Sequence, residues 1–596
     1  MQTSESYWQK RLSRRRIMQA GALAGTSAAA MALLGCSSGG GSKDDIAKVS
    51  NFAEPKDTSK TAKKGGIYKS IAAQDEATLD PLTTIRGAGA GGIEVYAYQK
   101  LLREKAQAYG PKATEYEGDF AESYELGDGG LRLTLKIRPN LKWDQRAPTN
   151  SRQATADDVI YSWNKVAAQS PYRTQLDNKA DPTAGVESVT KIDNLTVQFK
   201  MAFPWAPLIP ALAWGPLQMA PMESEDKFDR RREVRGSGPW MLEEYRASAL
   251  FNWKRNPNYY DTALPYLDGV EEPILAEYAA KLAQFKAKNI WDLTPNAEDV
   301  ISIRRESPAL QLYKGPLGLT GRHLYLNSNA GSPFKDVRVR RAVSMALDRD
   351  IYADIYTNAT KFASEGFEIP YFLDNYIPAG MTTYWIDPRG KDMGEAAKYF
   401  AYNPADAKAL VQAAAFPTSQ EMRIRWTDTH LTEKQASVVA EWLAAIGIKS
   451  KLEYADRETV FNPQILVTKG KFPGDISGLT RPIGFDPGAG LYRTNHSNGA
   501  NTGSAWDDDG QKKIDALLER SIREVDTQKN VALIKEIQKE LGLYQGSIPI
   551  NFQSPALTFT WPWVMNFGVY RASEVSATTN RRIAYHNMWI DDSLKS

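Results

Sequence analysis

Apolar and polar positions alternate along this chain with two different periods. In "LRLTLKI", Leu131, Leu133, Leu135 and Ile137 share one face and Arg132, Thr134 and Lys136 the other, a half-buried strand. "TADDVIYSWNKVAA" has Thr155 as N-cap and Asp158 three residues later, and spaces Val159, Trp163 and Val166 along one helical face. In "DVRVRRAVSMALDRDIYADIY", Val339, Val343, Leu347 and Ile351 recur every four residues. "NPADAKALVQAAA" predicts a short helix capped by Asn403, with Pro404 in its first turn. The clearest unit is "ASVVAEWLAAIGIKSKLEY". Val438, Val439, Trp442, Leu443 and Ile446 stripe a helix, Gly447 ends it, and Ile448, Ser450, Leu452 and Tyr454 alternate as a strand. Helices feeding strands through single turns, repeated over 596 residues, predict a mixed α/β protein of several domains.

The first 64 residues follow neither period. "IMQAGALAGTSAAAMALLG" (17–35) carries no charge and follows the basic "KRLSRRR", the layout of an export signal. Its apolar part is mostly Ala, Gly, Ser and Thr, too weakly hydrophobic for a membrane-spanning helix. "SRRRIM" resembles the twin-arginine export motif, with Arg14 and Arg15 as the pair. Leu33-Leu34-Gly35-Cys36 resembles the lipobox of bacterial lipoproteins, which makes Cys36, the sole cysteine, the lipidated first residue of the mature chain. Residues 36–64 are small and charged and read as a tether. Lys and Arg number 74 against 71 Asp and Glu, but residues 1–35 hold five basic and one acidic residue, so the mature chain is close to neutral. Nothing in that balance suggests nucleic acid as a partner.

Candidate chemistry is sparse. The four histidines (His323, His430, His496, His586) are widely separated and form no metal-binding motif. "RGAGAGG" (86–92) lacks the Lys-Ser/Thr of a phosphate loop, and "WDDDG" (506–510) lacks the ligand spacing of a calcium loop and reads as an acidic turn before a helix. No metal and no cofactor is expected. An exported lipoprotein hydrolase with carboxylates brought together only by folding is the alternative to a binding protein.

Five segments in order resemble the peptide/nickel/opine class of ABC-transporter solute-binding proteins, solute-binding protein family 5. They are "LKIRPNLKWDQRAPTNSRQATADDVIYSWNKV" (135–166), "GSGPWMLEEYRASALFNWKRNPNYYDTALPYLDGV" (236–270), "LYLNSNAGSPFKDVRVRRAVSMALDRDIYADI" (324–355), "YNPADAKALVQAA" (402–414) and "LIKEIQKELGLYQGSIPINF" (533–552). The resemblance implies a two-lobed, periplasmic-binding-protein-like (type II) α/β fold with a third, smaller inserted domain. By matching positions, lobe I takes 65–102, 205–295 and 549–596, the inserted subdomain 103–204 and lobe II 296–548. It also implies a monomer that closes on a small solute outside the cell, delivers it to an ABC permease, and is held at the membrane by lipid on Cys36. The solute would be peptide-like, opine-like or oligosaccharide-like.

The same resemblance suggests ligand-facing residues: Ser237 and Gly238 in the "GSGP" turn, Thr294 and Asn296 in "WDLTPNAED", Trp426 in "RIRWTDTH", Arg86 in the Gly/Ala loop, and Arg481. Peptide-binding members pair the peptide's ammonium with an Asp in a G-W-x-x-D-Y-x-D-P segment. In "GDISGLTRPIGFDPGAGLY" (474–492) that position falls at Ile483 or Gly484, and the Trp position near Arg481. Neither Ile nor Gly pairs with a cation, whereas a guanidinium suits a carboxylate or phosphate. The expected solute is therefore neutral or anionic rather than an ordinary peptide.

Overall fold

In this computed structural model the described residues are 52–595 apart from 77, 84–92, 110–114, 215–216, 428–429, 457–467, 485 and 572–583. Arg14, Arg15, Cys36 and Arg86 lie outside the described residues, as does the side chain of Arg481.

The chain opens with β1 (Ile67–Lys69), then a two-stranded ribbon, β2 (Leu102–Glu104) and β3 (Tyr116–Gly118). β4 (Ala121–Gly127), β5 (Arg132–Ile137), α1 (Ala156–Gln169), β6 (Val186–Asp193) and β7 (Thr196–Met201) follow, the strands forming an antiparallel sheet in the order β4-β5-β7-β6. On β5, Leu133, Leu135 and Ile137 are buried; Leu131 precedes the strand in a helical turn and is exposed. The capping box of α1 is complete, with Thr155 and Asp158 satisfying each other's backbone N–H groups, and Trp163 meets Phe199 of β7 edge-on at 5.9 Å. β8 (Trp240–Arg246), β9 (Leu250–Arg255) and β10 (Gly269–Pro273) join β1 in a second sheet, ordered β1-β10-β9-β8. One hydrophobic core, from Tyr68 and Trp253 to Leu133 and Val159, runs through both sheets. The expected inserted subdomain thus shares its core with the first lobe.

Next come β11 (Asp292–Leu293), β12 (Gln311–Lys314) and β13 (Thr320–Leu326), then α2 (Val337–Ala346), β14 (Phe372–Leu373), β15 (Met422–Thr427), β16 (Ser450–Ala455), β17 (Ile476–Pro482), β18 (Ile548–Pro549), β19 (Phe552–Gln553) and β20 (Leu557–Thr560). The second lobe is built on a five-stranded sheet, β16-β15-β17-β13-β18, with its own core. The chain crosses outward between β12 and β13 and returns between β19 and β20. β12 and β11 flank β20 in one small antiparallel sheet over Phe285, Leu293, Val300 and Leu312. The second lobe was expected from residue 296; the structure moves the crossing to 315–319, because Val300, Ile303 and Leu312 belong to this hinge-side core.

Other departures have local causes. The four-residue spacing from Val339 does not reach Ile351. Leu347 leaves the helix, and Asp348 caps a new one by accepting from the N–H groups of Asp350 and Ile351, which turns Ile351 out at 42 % exposure. Val439, Leu443 and Ile446 are buried as expected and Gly447 breaks the helix at φ +92°, but Tyr454 is exposed because β16 is an edge strand. The tether expected up to Lys64 ends earlier. Phe52 is buried edge-on to Phe367 at 5.8 Å, and Thr58 is held by Asn566 at 2.7 Å and by the indole N–H of Trp589 at 2.9 Å. One ring and a few hydroxyls anchor a stretch whose composition reads as solvated.

Candidate functional site

Of the residues expected to face ligand, those described have separate settings. Trp426 is a core residue, 1 % exposed, on β15; it occupies the space above Gly478 of β17, where a Cβ would stand 2.1 Å from the indole. Its expected place at the ligand is therefore corrected: the ring packs β15 on β17. Gly238 donates its N–H to Ala97 O at 2.8 Å and accepts from the Asn256 side chain at 2.8 Å, while the buried Ser237 hydroxyl has no hydrogen-bond partner among the described residues. These two form a structural joint. Thr294 and Asn296 are exposed just after β11, where Thr294 Oγ1 lies 3.2 Å from Thr558 Oγ1 and the Asn296 N–H donates to Tyr278 Oη at 3.3 Å. Arg481 lies on β17 with its backbone opposite Gly321. Ile483 is buried and Gly484 turns at φ +84°, so neither offers a partner to an ammonium.

The lobes meet elsewhere. Cross-strand pairing on the β2–β3 ribbon sets Glu104, fully buried, directly opposite the half-buried Tyr116. Burial first, then Glu104 and the second-lobe groups Tyr384 and Asp486, push the Tyr116 hydroxyl well above its usual range. Asp486 caps the helix Pro487–Asn495, accepting from the Ala489 N–H at 2.7 Å. Burial outweighs those hydrogen bonds and raises its carboxyl from 3.8 to about 6. With the folded value raised, the stability from this group is complete below 3.8 and is lost as pH rises through about 6. A second contact lies between the segment after β7 and the end of a second-lobe helix. The Ala206 N–H donates to Ile522 O at 3.0 Å, and the Arg523 guanidinium stands 5.1 Å above the Phe203 ring.

Among the described residues no group of three or more His, Cys, Asp or Glu is placed to hold a metal. A cavity of about 350 Å³ opens within the second lobe, lined by Arg340, Asp508, Lys513 and Glu540; Lys513 pairs with Glu540 at 2.7 Å, and Asp508 accepts the Tyr544 hydroxyl at 2.7 Å. Glu104, Tyr116 and Tyr384 carry no local sequence mark, since only the crossing topology brings them together.

Residues 115–502 match the pattern described as "Bacterial extracellular solute-binding proteins, family 5 Middle". The chain belongs to this family. Family 5 proteins are the solute-binding components of ABC transporters and not enzymes, which sets aside the hydrolase alternative. This family 5 chain is 24 % identical over 362 residues to the dipeptide-binding protein of Escherichia coli K12, covering 57 % of itself and 63 % of that protein. It is 25 % identical over 509 residues to di/tripeptide-binding protein 2 of Pseudomonas aeruginosa UCBPP-PA14, covering 80 % of itself and 88 % of that protein. Among solved structures, the periplasmic binding protein DppA of Helicobacter pylori with peptide STSA superimposes with a TM-score of 0.67 at 19 % identity, over 89 % of this chain and 99 % of that one. AgaA of A. tumefaciens R10 with agropinic acid gives 0.65 at 18 % identity, over 88 % and 99 %. The two-lobed architecture is thus that of the family. No helix among the described residues is long and apolar enough to cross a membrane.

Proposed function

We propose that this family 5 protein is a monomeric, lipid-anchored receptor that captures a small solute between its lobes outside the cytoplasm and presents it to an ABC permease. The observation that carries this reading is the pair of side-by-side crossings, β12–β13 and β19–β20, joining two independently packed cores. The relatives' ligands, dipeptides in one and agropinic acid in another, bracket the chemistry. With Ile483 and Gly484 where the ammonium partner would stand, the solute is an opine-like, sugar-like or otherwise neutral or anionic compound, and Arg481 is the residue we assign to an anionic group on it.

A thermal-shift panel of peptides, opines, oligosaccharides and metal chelates tests this. One class is expected to raise Tm, by roughly 2.7 kcal/mol of added stability at one hundred times Kd. Arg481→Ala should abolish that shift while leaving the unliganded Tm in place. Strong stabilisation by mixed free-amine peptides, unchanged in the variant, would return the protein to the general peptide binders.

The anchor has its own test. Cys36→Ala is expected to move the protein from the membrane to the soluble fraction or to leave its signal uncut, since stable anchoring needs more than one acyl chain. Protein cut at the same site that stays on the membrane without Cys36 would refute the lipid.

A further inference from the structure

Away from the hinge, the two lobes also touch at the protein surface. On the first lobe the stretch Phe203-Pro204-Trp205-Ala206 follows β7 and is rooted in the first-lobe core through Trp205. On the second, residues 522–525 turn the chain from the helix Asp509–Ser521 towards the helix Thr527–Tyr544, and Ile522 belongs to the second-lobe core. Residues 203–206 precede the outward crossing, and 522–525 lie between it and the return. Every contact between the two stretches therefore joins one lobe to the other.

Three such contacts are made. The Ala206 N–H donates to Ile522 O at 3.0 Å. The Arg523 guanidinium stands 5.1 Å above the Phe203 ring. Val525 covers the turn between β4 and β5, where a Cβ on Gly130 would stand 3.2 Å from Val525 Cγ1 and 3.4 Å from Pro204 Cβ. Arg523 is exposed and Val525 is 40 % exposed, so the contact lies at the outer edge of the lobe interface. The surroundings are acidic on both sides. Burial first, then Glu519 and Asp181, raise the Tyr492 hydroxyl to about 12, and Arg523 acts on it in the opposite sense. Tyr492 and Glu519 are second-lobe groups, whereas Asp181 comes from the first lobe. Arg523 shares this neighbourhood with carboxylates of both lobes and offsets them.

We propose that residues 203–206 and 522–525 form a latch that holds the lobes closed without any solute. An N–H and a carbonyl at 3.0 Å meet with nothing between them, so the lobes themselves complete the contact. When the lobes part, both groups return to water and the guanidinium leaves the ring. Each loss is worth a few-fold in the closed-to-open ratio, and the latch as a whole roughly tenfold. That biases the hinge without locking it. The closed fraction of empty receptor, and with it the apparent affinity for every solute alike, is then set where the lobes touch each other. The latch rests on the capture between lobes proposed above and adds a control on it that is independent of solute chemistry.

Hydrogen–deuterium exchange of the unliganded full chain, carrying Cys36→Ser to keep it off membranes, reads the latch at the Ala206 amide. Pro204 and Pro207 have no N–H, so few other amides contribute to a peptide spanning 203–208. With the latch intact, this amide is expected to exchange about tenfold slower than an unbonded one. Arg523→Glu removes the cation and sets a further carboxylate facing Asp181; it is expected to speed that exchange about fivefold, with thermal melts confirming the fold. Val525→Asp, at the other end of the contact, should act in the same direction. Arg520→Glu is the control, the same reversal at an exposed position with no first-lobe contact among the described residues, and should leave the amide unchanged. An Ala206 amide that exchanges freely in the unmutated latch, stays equally slow in Arg523→Glu, or speeds up as much in Arg520→Glu, would overturn the proposal. Because no solute is added, a latch that fails and a solute panel that fails are separate results.

Discussion

Replacing Asp158 by alanine is expected to lower the stability of the fold by about 3–5 kcal/mol, the range for breaking a buried, hydrogen-bonded ion pair from one side. Asp158 is fully buried and accepts from five donors: Trp143 Nε1 at 3.1 Å, both terminal nitrogens of Arg152 at 3.0 and 2.8 Å, the Thr155 N–H at 2.9 Å and the Met222 N–H at 3.1 Å. It thus closes the capping box of α1, fixes the loop before it, and holds residue 222 against the helix. Arg152 retains Glu223, at 2.6 Å, so the arginine is only half orphaned by the change. The indole and the backbone N–H groups have no such reserve, and buried donors left unmade carry most of the cost. Denaturant titration is the measurement: the midpoint should fall with m unchanged. A loss below about 1 kcal/mol would mean that water or a neighbour replaces the carboxylate.

The second large effect concerns the "GSGP" turn. Gly236→Ala is expected to cost about 3 kcal/mol or more, because the new methyl has to displace backbone and not a flexible side chain. Its Cβ would stand 1.8 Å from the Ala97 carbonyl oxygen, while Gly236 O accepts the Asp144 N–H at 2.9 Å and pins the turn from the other side. Ser237→Ala is the control, neutral or slightly stabilising, since it removes a buried hydroxyl that has no partner among the described residues. Together the two separate the roles open to this turn. If it held solute, Ser237→Ala would weaken binding and leave Tm alone. As a joint, Gly236→Ala collapses Tm and Ser237→Ala changes neither.

What could be read from the sequence was what acts over a few residues. The Thr155–Asp158 box, the Asn403–Pro404 start and the break at Gly447 all sit where the pattern places them, because each is satisfied within one turn of chain. The five ordered motifs carried the family for the same reason. Trp426 was misjudged because a ring at the end of a strand reads alike whether it faces a cleft or a core. Gly478, 52 positions along, decides between them by leaving the room it fills. The setting of Tyr116 was not legible at all. The second-lobe groups that act on it, Tyr384 and Asp486, come from across the crossings, and no local period encodes which distant element will lie alongside.

The docking of residues 52–61 on the folded body bears on how such a receptor searches for its transporter. With lipid on Cys36, sixteen residues separate the bilayer from Phe52, a reach of at most ~55 Å even when fully drawn out. Every receptor would then patrol a shallow shell above the lipid surface, within leash height of any permease in the same patch. Encounter would depend on lateral diffusion of the two anchored partners rather than on the amount of receptor in the surrounding volume. A weak docking surface would then suffice for rapid hand-over and release.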